Sequence, residues 1–149
     1  MNNPKKSILI LIADDDAEDR MLLKEALEEN RLKNALQFVE NGEVLMDYLH
    51  GEGQYQDREK FPLPGLILLD LNMPKKDGRE ALKEIKEDPH LRMIPIVVLT
   101  TSKAEEDIIK TYDLGVSSFI TKPVTFVALV DMMKTLTDYW FELVELPKV

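Results

Sequence analysis

Cysteine is absent from this chain, and basic residues are too few to balance the acidic ones. Without cysteine the protein can form neither a disulfide nor a thiolate metal site, a composition that fits a reducing compartment. The 19 lysine and arginine residues face 28 acidic residues, which gives a formal net charge of −9. This balance argues against a nucleic-acid partner, because contacts to phosphates require clustered lysine and arginine side chains.

Long apolar runs are also missing from the sequence. No apolar segment approaches the roughly 20 residues that cross a bilayer, so no membrane span is expected. The N-terminal segment 1–6 lacks the small-residue cleavage site of a secretory signal. We therefore expect a cytoplasmic protein, and a length of 149 residues predicts a single domain.

Two periodicities alternate along the chain. Short apolar runs, typical of strands covered on both faces, are separated by stripes at helical spacing. The predicted strands span 7–13, 35–39, 66–70, 94–100 and 117–121. The predicted helices span 16–29, 43–50, 79–87 and 104–114, and a last helix capped by Thr125 runs to about residue 142. Segment 51–64, rich in glycine, proline and charge, is predicted to be a surface loop.

This order of elements predicts an α/β fold. We expect a doubly wound, five-stranded parallel sheet of the flavodoxin-like type, with strand order 2-1-3-4-5, five helices and an extended C-terminal helix and tail. In such a sheet the carboxyl ends of all strands meet along one edge, where ligands bind. The polar side chains that come at or just after a predicted strand end are Asp14, Asp15, Asp70, Thr100 and Lys122.

These residue types indicate a site for a divalent metal and a phosphoryl group. A single aspartate at a strand end more often caps a helix or forms a turn than binds a ligand. Three carboxylates at one edge, however, repel each other unless a cation or a lysine lies among them. Mg²⁺ suits such a site because it prefers hard oxygen ligands. We assign two further acids, Asp16 and Asp19, to the N-terminus of the first helix, where negative charge is favourable.

Lys122 is followed by Pro123, and this pair has two interpretations. The simpler one is a surface lysine before a turn. The other is a lysine that reaches across the strand ends. Because X-Pro bonds are the main place where cis peptides occur, we expect a cis bond here that aims the ammonium into the site. Thr100 could donate its hydroxyl to a phosphoryl oxygen from the tip of the fourth strand.

The combined motifs resemble those of response-regulator receiver domains over about residues 7–136. The residues that carry the resemblance, in chain order, are Asp14, Asp15, Asp70, Thr100, Phe119, Lys122 and Pro123. The segment 70–74, followed by Asp77 and Gly78, is similar to the phosphorylation-site sequence of that family. The resemblance implies one domain over 1–149, with a receiver core at 7–136 and a C-terminal extension at 137–149.

The resemblance implies that a histidine kinase transfers a phosphoryl group to Asp70. Mg²⁺ would be bound by Asp15, Asp70 and the backbone carbonyl of Asn72, with Asp14 acting largely through water. Lys122 would pair with a phosphoryl oxygen.

The resemblance also implies a switch in the face formed by the fourth helix, the fifth strand and the last helix. Thr100 would donate a hydrogen bond to the phosphoryl group, and Phe119 would turn toward the interior. The family often has tyrosine at this position, so switching through Phe119 would rest on packing alone.

The long loop and the tail resemble those of regulators paired with phytochrome kinases. One apolar stripe of the last helix suffices to dock it on the sheet, namely Phe126, Leu129, Val130, Met133 and Trp140. Apolar residues remain beyond that need, and we expect this end of the chain to pair with a second copy. The expected dimer residues are Leu136, Tyr139, Trp140, Leu143 and Leu146. The alternative is that this excess folds back on its own domain.

Two other functions compete with that of a signalling switch. A metal-dependent phosphohydrolase of the haloacid dehalogenase type also uses a strand-end aspartate, but its nucleophile follows the first strand and a second aspartate lies two positions later. Here Asp70 ends the third predicted strand and position 72 is asparagine. A receiver-like scaffold that no longer accepts phosphate is disfavoured because the acids and Lys122 are all present. We do not expect an enzyme with a separate substrate.

Overall fold

The computed structural model describes residues 9–29, 36–101 and 104–143, without the side chains of residues 141–143. The strands are β1 (Ile10–Ala13), β2 (Leu36–Val39), β3 (Leu66–Leu69), β4 (Ile96–Thr100) and β5 (Ser118–Thr121). The helices are α1 (Ala17–Glu29), α2 (Gly42–His50), α3 (Gly78–Glu87), α4 (Glu105–Leu114) and α5 (Phe126–Thr137), and a π-helical segment, Asp138–Leu143, follows α5. None of these described helices is long and apolar enough to cross a membrane.

The five strands form one parallel sheet in the order β2-β1-β3-β4-β5. Each neighbouring pair is parallel, so the carboxyl ends of the strands lie at the same edge. This order confirms the predicted flavodoxin-like fold. Predicted strand residues 7, 8 and 35 lie outside the described part of the chain.

Two apolar layers cover the sheet because successive side chains of a strand point to opposite faces. On one face, side chains of the central strands pack with α1 and α5; the strand residues are Ile10, Ile12, Leu66, Leu68, Val97 and Leu99. On the other, the alternate side chains pack with α2 and α3; the strand residues are Leu11, Ala13, Ile67, Leu69, Ile96 and Val98. Burial on both faces explains why these strands read as continuous apolar runs.

Polar side chains set the helix ends as predicted. Asp16 Oδ1 accepts hydrogen bonds from the first turn of α1, and Thr125 Oγ1 accepts one from the backbone N–H of Ala128 in α5. Gly115 ends α4 in the left-handed conformation, with φ of 100°, where glycine carries no steric penalty.

Segment 51–64 differs from the loop that its composition predicted. It contains a short 3₁₀ turn, and its Tyr55 ring lies 4.9 Å from the ring of Tyr48 and 5.0 Å from that of Phe61. Arg58 donates hydrogen bonds of 2.7 Å and 3.0 Å to the carbonyls of Tyr48 and Leu49 at the end of α2. The segment is therefore packed onto the fold through its aromatic side chains and one guanidinium.

Gly78, the first residue of α3, lies against the turn that follows β3. Its N–H donates to the carbonyl of Leu71 at 2.9 Å. A Cβ atom at this position would overlap the carbonyl oxygen of Asp70 and lie 2.7 Å from the Cα of Leu71. The missing side chain thus lets the start of α3 approach the end of β3.

We predict that Gly78→Ala lowers the free energy of unfolding by about 1–3 kcal/mol, the usual cost of overpacking. Alanine is the better helix former by about 1 kcal/mol, so without the overlap the change would be stabilising. Urea unfolding measures the effect, and Lys83→Ala on the exposed face of α3 is the control. A Gly78→Ala variant as stable as that control would contradict the close approach.

Candidate functional site

The sheet brings four predicted side chains to one edge. Asp14 follows β1, and its N–H donates to the carbonyl of Val39 at 3.0 Å. Asp70 follows β3, and its N–H donates to the carbonyl of Ala13 at 2.9 Å. Thr100 ends β4, and its carbonyl accepts from the N–H of Lys122 at 2.8 Å. The backbone that carries each of these side chains is thus held by a hydrogen bond between neighbouring strand ends.

The carboxylate of Asp70 is buried, and both of its oxygens accept hydrogen bonds. Its Oδ1 accepts hydrogen bonds from the Thr100 hydroxyl at 2.8 Å and from the N–H of Asn72 at 3.2 Å. Its Oδ2 accepts from the Lys122 ammonium at 3.1 Å. Donors on both oxygens hold this carboxylate in one orientation.

The ammonium of Lys122 lies among three carboxylates. Its Nζ is 2.7 Å from Oδ2 of Asp14, 2.7 Å from Oδ2 of Asp19 and 3.1 Å from Oδ2 of Asp70. Only 12% of the lysine side chain is exposed. Burial by itself lowers the pKa of Lys122, but the bonds to Asp14 and Asp19 outweigh it and raise the pKa overall. The lysine therefore stays charged and compensates the acids around it.

Asp14 is the most buried acid of the site, with 2% of its side chain exposed. Burial raises the pKa of this carboxyl, against the opposing hydrogen bonds from Lys122 and from the N–H of Asp16. Arg20 adds a guanidinium hydrogen bond of 2.8 Å to the Asp14 carbonyl. Folding thus holds a carboxylate here at an electrostatic cost.

One group of acids fits a metal ion. Asp14, Asp15 and Asp70 each offer an oxygen, and these atoms lie within 4.8 Å of one another. Asp15 is exposed, so the group opens to solvent on one side. Hard oxygen ligands with access to water are the environment in which Mg²⁺ binds. Asn72, the fourth predicted ligand, is exposed beside Asp70.

The predicted cis bond before Pro123 is wrong, because the described residues contain no cis peptide. The trans form is the more stable one for an X-Pro bond by about 0.5–1 kcal/mol. A trans backbone still delivers the ammonium to the site, because the N–H of Lys122 is bound to the carbonyl of Thr100.

Phe119 of β5 is half-buried and packs against the core layer of α2 and α3. Its backbone N–H donates to the hydroxyl of Tyr112 on α4 at 3.1 Å. Phe119 itself has no hydroxyl; the hydroxyl that contacts its backbone belongs to Tyr112 of the neighbouring helix.

The C-terminal residues divide differently from the prediction. Leu136 and Trp140 are buried in the core layer of α1 and α5, so they contact their own domain. The helical stripe from Leu129 and Met133 continues to both, because positions three and four apart share a face. Tyr139 is 53% exposed. Residue 146 and the side chain of residue 143, also predicted at the dimer surface, lie outside the described part.

Two site-related contacts were missed by sequence reasoning. Asp19 was assigned to the helix N-terminus, yet it binds Lys122; helical side chains point toward the N-terminus, so an acid in this turn can reach the strand edge. Arg79 of α3 holds the buried Asp107 of α4 with bonds of 2.7 Å and 2.6 Å, and also contacts Asp77 at 3.0 Å. Above all the bond to Asp107 raises the pKa of Arg79. No spacing rule predicts such a pair, because it joins separate helices.

We predict that Asp14→Asn is more stable than the wild type at neutral pH without metal. A raised pKa means that the folded protein favours the protonated carboxyl. The protonated Asp14 carboxyl therefore stabilises the folded state at a pH below 3.8, its ordinary pKa, and this stabilisation is lost as the pH rises through the higher pKa of the folded protein. Asparagine mimics the neutral form, so its advantage should shrink in acid. Urea unfolding in a chelator across pH measures this, with the exposed Asp131→Asn as the control; an advantage independent of pH would contradict the argument.

Comparison with known proteins connects this geometry to a family. Residues 10–134 match the family described as response regulator receiver domain. Response regulator Rcp1 of Synechocystis sp. is 42% identical over 146 residues, which are 98% of this chain and 96% of the relative.

Two solved structures are similar over nearly their whole length. The crystal structure of the Mn(2+)-bound form of Rcp1 gives a TM-score of 0.86 at 42% identity, covering 95% of this chain and 99% of that one. The phosphorylated cyanobacterial phytochrome response regulator RcpA gives 0.88 at 42% identity, with the same coverage. The family match and the relative Rcp1 give no support to the alternative of a haloacid dehalogenase type of phosphohydrolase. The chain belongs to the response regulator receiver domain family.

Proposed function

We propose that this receiver domain, spanning 1–149 with a core at 7–136 and an extension at 137–149, is a phosphorylation-controlled switch. A histidine kinase would transfer a phosphoryl group to Asp70. The observation that carries the proposal is the environment of Asp70. Thr100, Asn72 and Lys122 orient its carboxylate, and the other two aspartates of the cluster that fits a metal ion lie beside it. No turnover of a separate substrate is part of the proposal.

The chemistry follows from these contacts. An oxygen of the Asp70 carboxylate attacks the phosphorus of a phosphohistidine. An O–P bond forms and the P–N bond breaks; the electron pair of that bond stays on the ring nitrogen, and the kinase histidine leaves as neutral imidazole because its other ring nitrogen carries a proton. Lys122 offers its ammonium to an oxygen of the transferred group, and Thr100 offers its hydroxyl to another. Burial strengthens both interactions.

We propose Mg²⁺ as the metal, held by Asp15, Asp70 and the backbone carbonyl of Asn72, with Asp14 through water. The clustered oxygens of the three aspartates support this assignment, and the relative Rcp1 has been crystallised with Mn²⁺. When bound, such an ion neutralises the negative charge that gathers on the transferred group.

The switch would begin at Thr100. Its hydroxyl is bound to Asp70 at 2.8 Å and would move to the phosphoryl oxygen, a short inward displacement. Phe119, on the neighbouring strand, would then pack more deeply behind it. We place the response on the surface of α4, β5 and α5. A difference of a few kcal/mol between two states suffices for phosphorylation to shift the population.

The proposed partner is a phytochrome-type histidine kinase in the cytoplasm. The relative RcpA is named as a phytochrome response regulator, and its likeness covers 95% of this chain. Neither nucleic acid nor membrane belongs to the proposal.

We further propose a homodimer through the C-terminal helix and tail. Tyr139 supports this, because its ring is 53% exposed and leans edge-on against the buried Trp140 at 5.4 Å. Leu136 and Trp140 would support that surface from below, and Leu143 and Leu146 would extend it. Two-fold pairing is the commonest closed assembly of such surfaces.

We predict that the wild type, incubated with Mg²⁺ and acetyl phosphate, gains one phosphoryl group, because this small donor presents the same group to Asp70. Intact mass spectrometry measures the gain. Asp70→Asn should gain none although it is folded, which a cooperative unfolding transition in urea would show. Phosphorylation of that variant would move the acceptor elsewhere, and Asp15 would be examined first.

We predict that Tyr139→Ser raises the dissociation constant of the dimer about tenfold or more, since a central aromatic anchor of an interface contributes about 2 kcal/mol and a tenfold change corresponds to about 1.4 kcal/mol. Sedimentation equilibrium of the full chain measures it. The control is Val127→Ser, an exposed apolar residue at the other end of α5. A wild type that stays monomeric, or equal effects of both substitutions, would refute the dimer surface.

A further inference from the structure

Lys122 has one more carboxylate partner than the proposed phosphoryl transfer requires. An ammonium has three N–H donors, and Asp14, Asp19 and Asp70 use all of them. Asp14 and Asp70 belong to the group of oxygens that fits a metal ion. Asp19 does not belong to that group, yet its bond to Lys122, at 2.7 Å, is as short as that of Asp14.

The position of Asp19 is set by the start of α1. Its backbone N–H donates to Oδ1 of Asp16 at 3.3 Å, within the cap of the helix. The side chain is 34% exposed, whereas that of Lys122 is 12% exposed. Asp19 is therefore the more exposed partner of the ammonium, and Asp14 is the buried one.

A bound divalent cation and the ammonium of Lys122 compete for the same oxygens. Both are positively charged, both are attracted to Asp14 and Asp70, and they repel each other at short range. A carboxylate outside the metal group that binds the ammonium reduces this competition.

We propose that Asp19 is a positioning residue: it takes one of the three donors of the Lys122 ammonium and so weakens the hold of that charge on Asp14 and Asp70, which the divalent cation also binds. This inference rests on the proposed function, because it concerns the same metal and phosphoryl site. After phosphorylation, Asp14 and Asp19 retain two donors of Lys122, and the third donor turns from the Asp70 carboxylate to a phosphoryl oxygen.

The test is a titration of the full chain with Mg²⁺ by isothermal calorimetry. Asp19→Asn keeps the shape of the side chain and removes its charge. The dissociation constant should rise about tenfold, because the freed donor of Lys122 then competes more strongly with the cation for Asp14 and Asp70, an effect of the size seen when the support of a metal ligand is removed. The matched control is Glu18→Gln, which removes one charge from the same turn at an exposed position. Screening by salt should keep its effect below about threefold.

A second background tests whether Asp19 acts through the lysine. In a Lys122→Ala protein, the further change Asp19→Asn should weaken Mg²⁺ binding no more than Glu18→Gln does, because the ammonium is gone. An undiminished loss in that background would overturn the positioning role and leave simple charge attraction. Asp19→Ser, which also lacks the carboxylate, should repeat the loss seen with Asp19→Asn.

The outcomes separate this inference from the proposed function. A wild type that binds no Mg²⁺ and gains no phosphoryl group from acetyl phosphate would refute the proposed function, and the role of Asp19 with it. A wild type that does both, beside an Asp19→Asn variant that binds Mg²⁺ as tightly, would overturn the role of Asp19 alone.

Discussion

The ammonium of Lys122 is the charge that lets aspartates from two distant parts of the chain lie close together at one edge of the sheet. Like charges at such short range repel strongly where water is scarce. Asp14 and Asp70 are buried there, and the lysine lies within hydrogen-bond distance of both. The acids can thus remain ionised and ready for a cation or a phosphoryl group. The raised pKa of Asp14 indicates that this compensation is incomplete.

The parallel sheet fixes the relative positions of the residues in this arrangement. Neighbouring strand ends are tied by backbone hydrogen bonds, from Asp70 to Ala13 and from Lys122 to Thr100. Asp70, the proposed phosphoryl acceptor, and the two side chains that contact it thus lie at the ends of adjacent strands of known register. Because Thr100 and Lys122 are joined through the backbone, a displacement at the tip of β4 also acts on the end of β5. This backbone bond connects the strand that contacts the proposed acceptor with the surface proposed to respond.

Most of the fold could be predicted because its signals are local. Continuous apolar runs mark strands buried on both faces, and their alternation with helices fixes a parallel order, which in turn brings Asp14, Asp70, Thr100 and Lys122 together. What could not be predicted depends on contacts between distant residues. Arg58 turns a polar loop into a packed segment by binding carbonyls of α2. The bond between Asp19 and Lys122 joins residues over a hundred positions apart. Burial of Leu136, by contrast, could have been predicted, because this residue lies three positions after the buried Met133 on the same face of α5.

The hydroxyl of Tyr112 has a consequence for the edge of the sheet. β5 is the last strand in the order, so its outer backbone groups face no further strand within the described part of the chain. Such an edge invites pairing with a strand of another chain, and natural proteins cover it. Here the N–H of Phe119 is covered by Tyr112, a side chain of α4. An incoming strand would have to displace this hydroxyl before it could pair. The addition of a foreign strand to this edge of the sheet is thereby made less favourable.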